Sequence, residues 1–270
     1  MRPVFFGVCL ALTTVLAATP GGQNLPPPDS PDWVARQIDQ RDTGRDSRLE
    51  MSMRLFDRQG RMRQRSLVVT MLRESGNRGD RVLVRFISPN DIKGTGLLVW
   101  EHPSAEDERF LYLPALGRVR RIVGSEKQES FVGSDLSYED IGGRAIEDYT
   151  YAFVQRDASW TGPDGRSYPA WQLESRVVDR DAAYPRTVSL VRKDNFVVMA
   201  ADIFNRRNER EKRYDVRRLE QVERVWTAMD VLMSNELQNT RTELIVANAR
   251  YNVGLTDAAF TRRALEQDAR

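Results

Sequence analysis

Few residues of this chain have the type and spacing that catalysis needs. His102 is the only histidine and Cys9 the only cysteine, so nucleophilic catalysis of the Ser-His or Cys-His kind has little to build on. A zinc site made of histidine and cysteine is excluded for the same reason. Ser134 lies in the run Gly133-Ser134-Asp135, which lacks the Gly-x-Ser-x-Gly pattern of a nucleophile elbow. The sequence therefore predicts a protein that is not an enzyme, with no cofactor and no metal.

Three carboxylates, Asp135, Glu139 and Asp140, are close enough in sequence to suggest calcium ligands or an acid/base pair. Their spacing lacks the loop pattern of an EF-hand, and the run favours a short helix with Asp135 as its N-cap. A hydrolase of lipid or glycan would need Asp135 and Glu139 to face each other in a cleft. That function stays open as an alternative.

A glycine-rich run and a basic cluster each allow two interpretations. Lys93-Gly94-Thr95-Gly96 is similar to a phosphate loop only superficially, because the lysine comes first and no helix follows. The glycines favour a tight turn or bulge before a strand at 97–100. Arg118, Arg120 and Arg121 lie on a predicted strand, where they form either solvated surface or a contact for an acidic partner or a lipid phosphate.

The first residues have the form of a secretory signal peptide. Arg2 precedes the apolar run 4–16, and the small residues Ala17 and Ala18 follow it. The run is shorter than the roughly 20 residues that a membrane span needs. We expect a signal peptide at 1–18, a flexible Pro/Gly-rich segment at 19–30, and one domain at 31–270 in the periplasm. Removal of Cys9 would leave no thiol and no disulfide.

Charge gives no sign of a polyanionic partner. The 41 basic and 39 acidic residues leave a formal net charge of +2, and the two signs are interleaved along the chain. Nucleic-acid binding needs a concentrated basic patch, which this distribution does not provide. We expect a protein that binds no nucleic acid.

Hydrophobic periodicity predicts a mainly β fold. Ser30, Pro31 and an apolar stripe predict a helix at 32–41, and short helical pieces are predicted near 134–141 and after Thr256. Period-two alternation begins at 48–56. Further strands are predicted at 65–73, 81–87, 97–100, 148–155, 170–179, 185–192, 195–204, 212–226, 228–235 and 243–251, with edge and basic strands between 110 and 122. About ten antiparallel strands predict a strongly curled sheet or incomplete barrel, with the short helices forming a lid over one side.

The segment between Pro89 and Ile141 contains three unusual runs: PNDIKGTGLLVW, FLYLPALGRVRRI and SFVGSDLSYEDI. Through these runs the chain resembles the LolA-like family of periplasmic proteins, often labelled outer membrane lipoprotein-sorting proteins. The resemblance implies an incomplete β-barrel with a helical lid over a hydrophobic cavity that holds acyl chains of lipoproteins or other lipids. For the branch that carries these runs it also implies work with an export pump of the RND or MMPL type.

Alternation along the strands predicts which side chains line such a cavity. The predicted lipid-binding set is Leu49, Met51, Met53, Leu55, Val82, Val84, Phe86, Leu98 and Trp100. The flexible thioethers of Met51 and Met53 suit irregular or varied chains. Met53→Arg is predicted to abolish lipid retention and to leave folding intact. We expect a monomeric carrier with transient membrane contact; a periplasmic module that senses lipid or regulates a partner is the alternative.

Overall fold

The computed structural model describes residues 27–73, 79–102, 105–142, 146–179 and 182–267. The predicted signal peptide and most of the segment at 19–30 lie outside these residues. The described chain forms two α-helices and one thirteen-stranded sheet. The elements are α1 (Pro31–Gln40), β1 (Asp46–Phe56), β2 (Met62–Leu72), β3 (Arg81–Ser88), β4 (Gly96–Trp100), β5 (Glu108–Leu113), β6 (Arg118–Ile122), β7 (Tyr149–Thr161), β8 (Ser167–Val177), β9 (Arg186–Arg192), β10 (Val198–Phe204), β11 (Arg210–Val222), β12 (Val225–Asn235), β13 (Thr240–Tyr251) and α2 (Arg262–Glu266).

The strand order requires the connection between β6 and β7 to cross the sheet. The order is β6-β5-β4-β3-β2-β1-β13-β12-β11-β10-β9-β8-β7, so β1 pairs with β13 in the middle of the sheet and β6 and β7 form its edges. Strands that follow one another elsewhere are antiparallel neighbours. The chain between β6 and β7 must therefore pass from one edge of the sheet to the other. We name residues 123–148 the crossing segment; its residues 143–145 are outside the described part.

The predicted mainly β, antiparallel fold is confirmed, with thirteen strands in place of about ten. The predicted helix at 32–41 is confirmed as α1, where Ser30 Oγ accepts a hydrogen bond of 3.2 Å from the backbone N–H of Trp33. The turn after Thr256 is confirmed by α2. Among the described residues no helix is long and apolar enough to cross a membrane.

Two predicted elements are wrong. The strand at 212–226 is in fact most of β11, a turn and the start of β12, because Glu223 and Arg224 take φ values of 49° and 72°. Such a turn usually shows glycine or asparagine, which are missing here. The helix near 134–141 is absent: the chain forms a 3₁₀ turn at Phe131–Gly133 and an isolated bridge between Ser130 and Ser137.

The strands β2–β5 are covered by apolar groups on both faces, whereas β1 is apolar on one face only. On the face that we name the inner face, Met53, Val84 and Phe86 pack with side chains of the crossing segment. On the opposite, outer face, Leu98 and Phe110 pack with Phe260 and Leu265 near the C-terminus. Strands β2–β5 therefore have apolar residues at both odd and even positions, as expected of a sheet that is buried on both sides.

The two helices do not form the predicted lid over the inner apolar cluster. Helix α1 packs through Val34 on Trp171 and Val191, toward the β7 edge of the sheet. Helix α2 has only 5 residues and lies on the outer face against β4–β6. The crossing segment, which contains short 3₁₀ turns at Gly124–Gln128, Phe131–Gly133 and Ile146–Asp148, covers the inner cluster instead, because its two ends are fixed at opposite edges of the sheet.

Gly96 has a steric role beside the C-terminal helix. A Cβ at this position would lie 2.7 Å from Leu265 Cδ1, closer than packed carbon atoms approach. Arg85 fixes α2 by donating from Nη2 to the carbonyl oxygens of Ala264 and Leu265, at 2.6 and 3.0 Å. The Gly-Thr-Gly run therefore permits close packing of α2 on the sheet, and the structure gives this glycine no phosphate-binding role.

Gly96→Ala is expected to destabilise the protein by about 1–3 kcal/mol, because the added methyl group overpacks the contact with Leu265. Equilibrium urea unfolding measures this loss. In a Leu265→Ala background the same substitution should cost clearly less, since the clashing carbon atoms are gone. Equal costs in the two backgrounds would show that the clash is not the cause.

Candidate functional site

The crossing segment fills the inner face with aromatic and aliphatic side chains. Phe131 is 1% exposed, and its ring centroid lies 5.7 Å from that of Phe86 and 5.6 Å from that of Tyr138. Leu136 is buried in the same cluster. The space beneath the crossing segment is thus occupied by the chain itself, in contact with several residues that the sequence predicted to bind lipid.

Asp135 anchors the crossing segment to β13. Its backbone N–H donates to Thr242 Oγ1 at 2.9 Å, and the Thr242 hydroxyl donates to Asp135 Oδ2 at 2.7 Å. The Thr240 hydroxyl donates to the other carboxylate oxygen. The prediction that Asp135 is a helix N-cap is wrong, because hydroxyl groups of a distant strand take the place of the helix N–H groups.

Two arginines, one on β2 and one on β5, bind the carbonyl groups of the same segment. Arg65 Nη1 donates to the carbonyl of Val132, and burial lowers the pKa of the Arg65 guanidinium. Val132 has φ 52° and ψ 38°, a left-handed conformation that is unfavourable for a β-branched residue. Buried Arg109 donates from Nε to the carbonyl of Tyr138 at 3.1 Å. The segment is therefore apolar beneath and is held by a small number of polar contacts.

Two clefts border the crossing segment. The first, which we name the polar cleft, has a volume of about 340 Å³ and lies between the segment, the β1–β2 hairpin end and strands β11–β13. Leu55 and Leu136 belong both to its lining and to the inner apolar cluster. The second cleft, of about 1000 Å³, is lined by residues that include His102, Lys127 and Glu139. Both clefts are lined by a mixture of polar and apolar groups.

A tyrosine and a glutamate form one wall of the polar cleft. The Tyr184 hydroxyl donates to Glu211 Oε1 at 3.0 Å, and Glu211 Oε2 accepts from Asn205 Nδ2 at 3.3 Å. Burial, followed by the neighbouring Glu211 charge, raises the pKa of Tyr184 above its ordinary value. The phenol therefore stays protonated and acts as a fixed hydrogen-bond donor, with no role as a base.

The structure brings most of the predicted lipid-binding set to one face, with two exceptions. Met53, Leu55, Val82, Val84 and Phe86 are buried in the inner cluster, and Met51 packs against it. Leu49 is partly buried and packs on a neighbouring group of β12 and β13 residues.

Leu98 and Trp100 lie on the outer face, so their assignment to the same face as the other residues is wrong. Leu98 is directly opposite Leu83, whereas Val99 pairs with Val82 and Leu97 with Val84. Trp100 donates from Nε1 to the carbonyl of Phe260 at 2.8 Å. Alternation could not choose between the faces, because β4 is apolar on both sides.

The basic cluster of β6 is divided between ion pairs and solvent. Arg120 Nη1 lies 2.7 Å from Glu126 Oε1, and Arg121 Nη2 lies 3.2 Å from Glu108 Oε1. Arg118 is exposed. Arg120 and Arg121 thus form ion pairs within the protein. Contact of the three arginines with a partner or a lipid headgroup stays a prediction.

The carboxylates of the crossing segment do not form a pair in one cleft. Asp135 lines the polar cleft, whereas Glu139 lines the second cleft. Asp140 Oδ2 accepts from the backbone N–H and hydroxyl of Ser137, at 2.8 and 2.9 Å. Within the described ranges no group of histidine, cysteine and acidic residues could hold a metal ion. The geometry gives the hydrolase alternative no acid/base pair at Asp135 and Glu139.

Sequence reasoning missed the residues that position the crossing segment. Thr240, Thr242 and Lys212 come from strands more than 60 residues away in sequence, and no local pattern links them to Asp135 or Asp140. The Ser and Asp residues of the run SFVGSDLSYEDI favour a helix start by sequence, whereas in the structure they hold the segment on the sheet and hydrogen-bond within it. The only available signal was its mixture of aromatic and small polar residues.

Comparison with solved structures defines the class of protein. A LolA superfamily protein from Nitrosomonas europaea aligns with a TM-score of 0.64 at 16% identity, over 87% of this chain and 98% of that chain. A domain from Vibrio parahaemolyticus described as an outer membrane lipoprotein-sorting protein aligns with a TM-score of 0.79 at 27% identity, over 87% of this chain and 98% of that chain. The fold is therefore that of the LolA superfamily.

The family follows from two further matches. A DUF1329 family protein from Desulfovibrio piger is 30% identical and aligns with a TM-score of 0.78, over 87% of this chain and 97% of that chain. A family model described as "Uncharacterized protein" matches residues 78–267. No curated protein sequence matches the chain. The chain belongs to the DUF1329 family.

Proposed function

We propose that this protein is a periplasmic carrier of lipid or lipoprotein, whose inner face holds acyl chains in the space that the crossing segment fills. The observation that carries the proposal is the continuous inner cluster, which contains Met53, Val84 and Phe86 and is closed by Phe131 of the crossing segment. Similarity to a domain described as a lipoprotein-sorting protein supports it. In this state the crossing segment is a substitute for cargo.

The energetics suit exchange between segment and cargo. Each methylene group buried with an acyl chain contributes about 0.8 kcal/mol, so a two-chain lipid needs an apolar site to leave a membrane. Lifting the crossing segment would break its polar contacts, at a net cost of about 0.5–1.5 kcal/mol for each hydrogen bond. Its apolar contacts would be replaced by those of the acyl chains. Both loading and release are then small free-energy changes, as a carrier requires.

Delivery needs a partner in this proposal. The chain has no nucleotide-binding motif, so energy for directed transport would come from another protein. We propose an RND or MMPL type transporter as that partner, with transfer to or from the outer membrane. The exposed Arg118 at the β6 edge is available for contact with an acidic partner or a lipid phosphate.

Native mass spectrometry tests the proposal. The mature protein is purified without detergent from the periplasm of the cells that produce it, and its lipid is then extracted. A stoichiometric ligand that contains acyl chains is the expected result. An empty protein that also takes up no lipid from vesicles would contradict the carrier function. It would favour the regulatory alternative, in which the inner cluster is ordinary core.

A further inference from the structure

We propose that the polar cleft binds the hydroxyl-rich headgroup, a sugar or another polyol, of the lipid whose acyl chains occupy the inner face. This inference rests on the proposed carrier function and names the class of its cargo. The cleft meets the apolar cluster at Leu55 and Leu136. A lipid bound to the inner face would therefore have its polar end beside the cleft.

Lys212 is a buried cation with unused hydrogen-bonding capacity. Its side chain is 7% exposed and lines the cleft, where its Nζ lies 3.8 Å from Asp140 Oδ2 and 4.6 Å from the ring centroid of Tyr184. Neither distance is a hydrogen bond, and Lys212 donates none to the described residues. An ammonium group carries three hydrogen-bond donors. A ligand oxygen in the cleft would accept a hydrogen bond that no described residue accepts from Lys212.

The charges of the cleft favour a neutral, hydroxyl-rich group over an anion. Asp57, Asp135 and Glu211 line the cleft together with the two cations Arg63 and Lys212, so carboxylates outnumber cations. Neither Asp135 nor Glu211 forms an ion pair with a described basic residue. Each carboxylate accepts hydrogen bonds from neutral groups and has further lone pairs. The excess of carboxylates disfavours a phosphate, whereas hydroxyl groups can donate to the carboxylates and accept from Lys212.

Part of the remaining lining is neutral and polar. Ser130, Ser134, Ser137, Gln128, Asn235 and Gln238 surround the space with hydroxyl and amide groups. Gln238 is exposed, and its side chain forms no hydrogen bond within the described part of the chain. A volume of about 340 Å³ lies at the lower end of the range for small-molecule sites, which suits a headgroup of one sugar.

Isothermal titration with four soluble probes below their micelle concentrations tests the inference: octyl glucoside, octyl phosphate, 1-octanol and methyl glucoside. We expect octyl glucoside to bind at least about tenfold more tightly than each of the others, since a hydrogen bond to a charged group corresponds to about that factor. Lys212→Met should remove about tenfold of the affinity for octyl glucoside and leave 1-octanol binding unchanged.

Gln238→Ala keeps the test valid if loss of Lys212 disturbs folding, because the Gln238 side chain is exposed and forms no hydrogen bond with the described residues. We expect about a threefold loss of affinity for octyl glucoside, the effect of one neutral hydrogen bond. Gln64→Ala, a glutamine of β2 that pairs with Arg54 on the outer face, is the matched control. It should leave the affinity for octyl glucoside unchanged.

The outcomes separate the headgroup site from the carrier function. Equal binding of the three octyl compounds would overturn the headgroup site and leave the carrier function intact. Tightest binding of octyl phosphate would replace it with an anion site. Methyl glucoside binding as tightly as octyl glucoside would identify a free sugar as the ligand. No binding of any octyl compound would count against the carrier function itself.

Discussion

Linking the crossing segment to β13 by a disulfide is expected to abolish lipid loading. The pair to replace is Asp135 and Thr242, since the backbone N–H of Asp135 lies 2.9 Å from Thr242 Oγ1 and their side chains are in contact at 2.7 Å. A disulfide needs such close approach. With the segment fixed on the sheet, Phe131 cannot leave the space that the acyl chains would occupy.

The reduced and oxidised forms of this double-cysteine variant provide the comparison. Native mass spectrometry after incubation with phospholipid vesicles should show lipid in the reduced Asp135→Cys/Thr242→Cys protein and none in the oxidised form. A second pair, Ser130→Cys with Ser137→Cys, joins the two sides of the isolated bridge within the crossing segment. That disulfide ties the segment to itself, so its oxidised form should still load lipid. Equal loading of the oxidised and reduced Asp135–Thr242 pair would show that the segment does not control access.

The fold could be predicted largely because strand periodicity is a local signal. Leu49, Met51, Met53 and Leu55 alternate with polar residues, and β1 follows directly from that pattern. The turn at Glu223 and Arg224 could not be predicted, because these residue types give no turn signal although both adopt positive φ. Local pattern thus identifies strands well and identifies their ends less well.

The candidate site was harder to predict because it depends on contacts that are distant in sequence. Residues with period two can be assigned to a face only when one face is polar, and β4 offers no polar face. The cover of the inner face comes from the strand order, which puts β6 and β7 at opposite edges. No residue pattern within the crossing segment reveals that it must pass over β13.

Burial also changes the expected effect of Met53→Arg. Met53 is 1% exposed and belongs to the inner cluster, so an arginine there would place an unpaired charge in a packed core. Such a change destabilises the folded state as well as any lipid complex. Loss of lipid in that variant would no longer separate binding from folding, and a substitution in the cover itself is the sharper experiment.

Phe131→Ala is expected to weaken folding and to strengthen lipid loading at the same time. Removing a phenyl group that is 1% exposed costs about 3–5 kcal/mol of unfolding free energy, measurable by urea denaturation. Most of that cost falls on the closed position of the crossing segment. If the open position binds lipid, the apparent affinity for lipid should rise by up to about 100-fold, because the closed state competes less well.

Phe260→Ala is the matched control for this experiment. Phe260 is 2% exposed and packs on the outer face with Leu98 and Leu265, so its loss should reduce stability by a similar amount. It should not change lipid loading, because the outer face is separated from the inner cluster by the sheet. Equal gains in loading for both variants would mean that general destabilisation admits lipid. A gain confined to Phe131→Ala would mean that this side chain occupies the position of an acyl chain, which core packing alone does not predict.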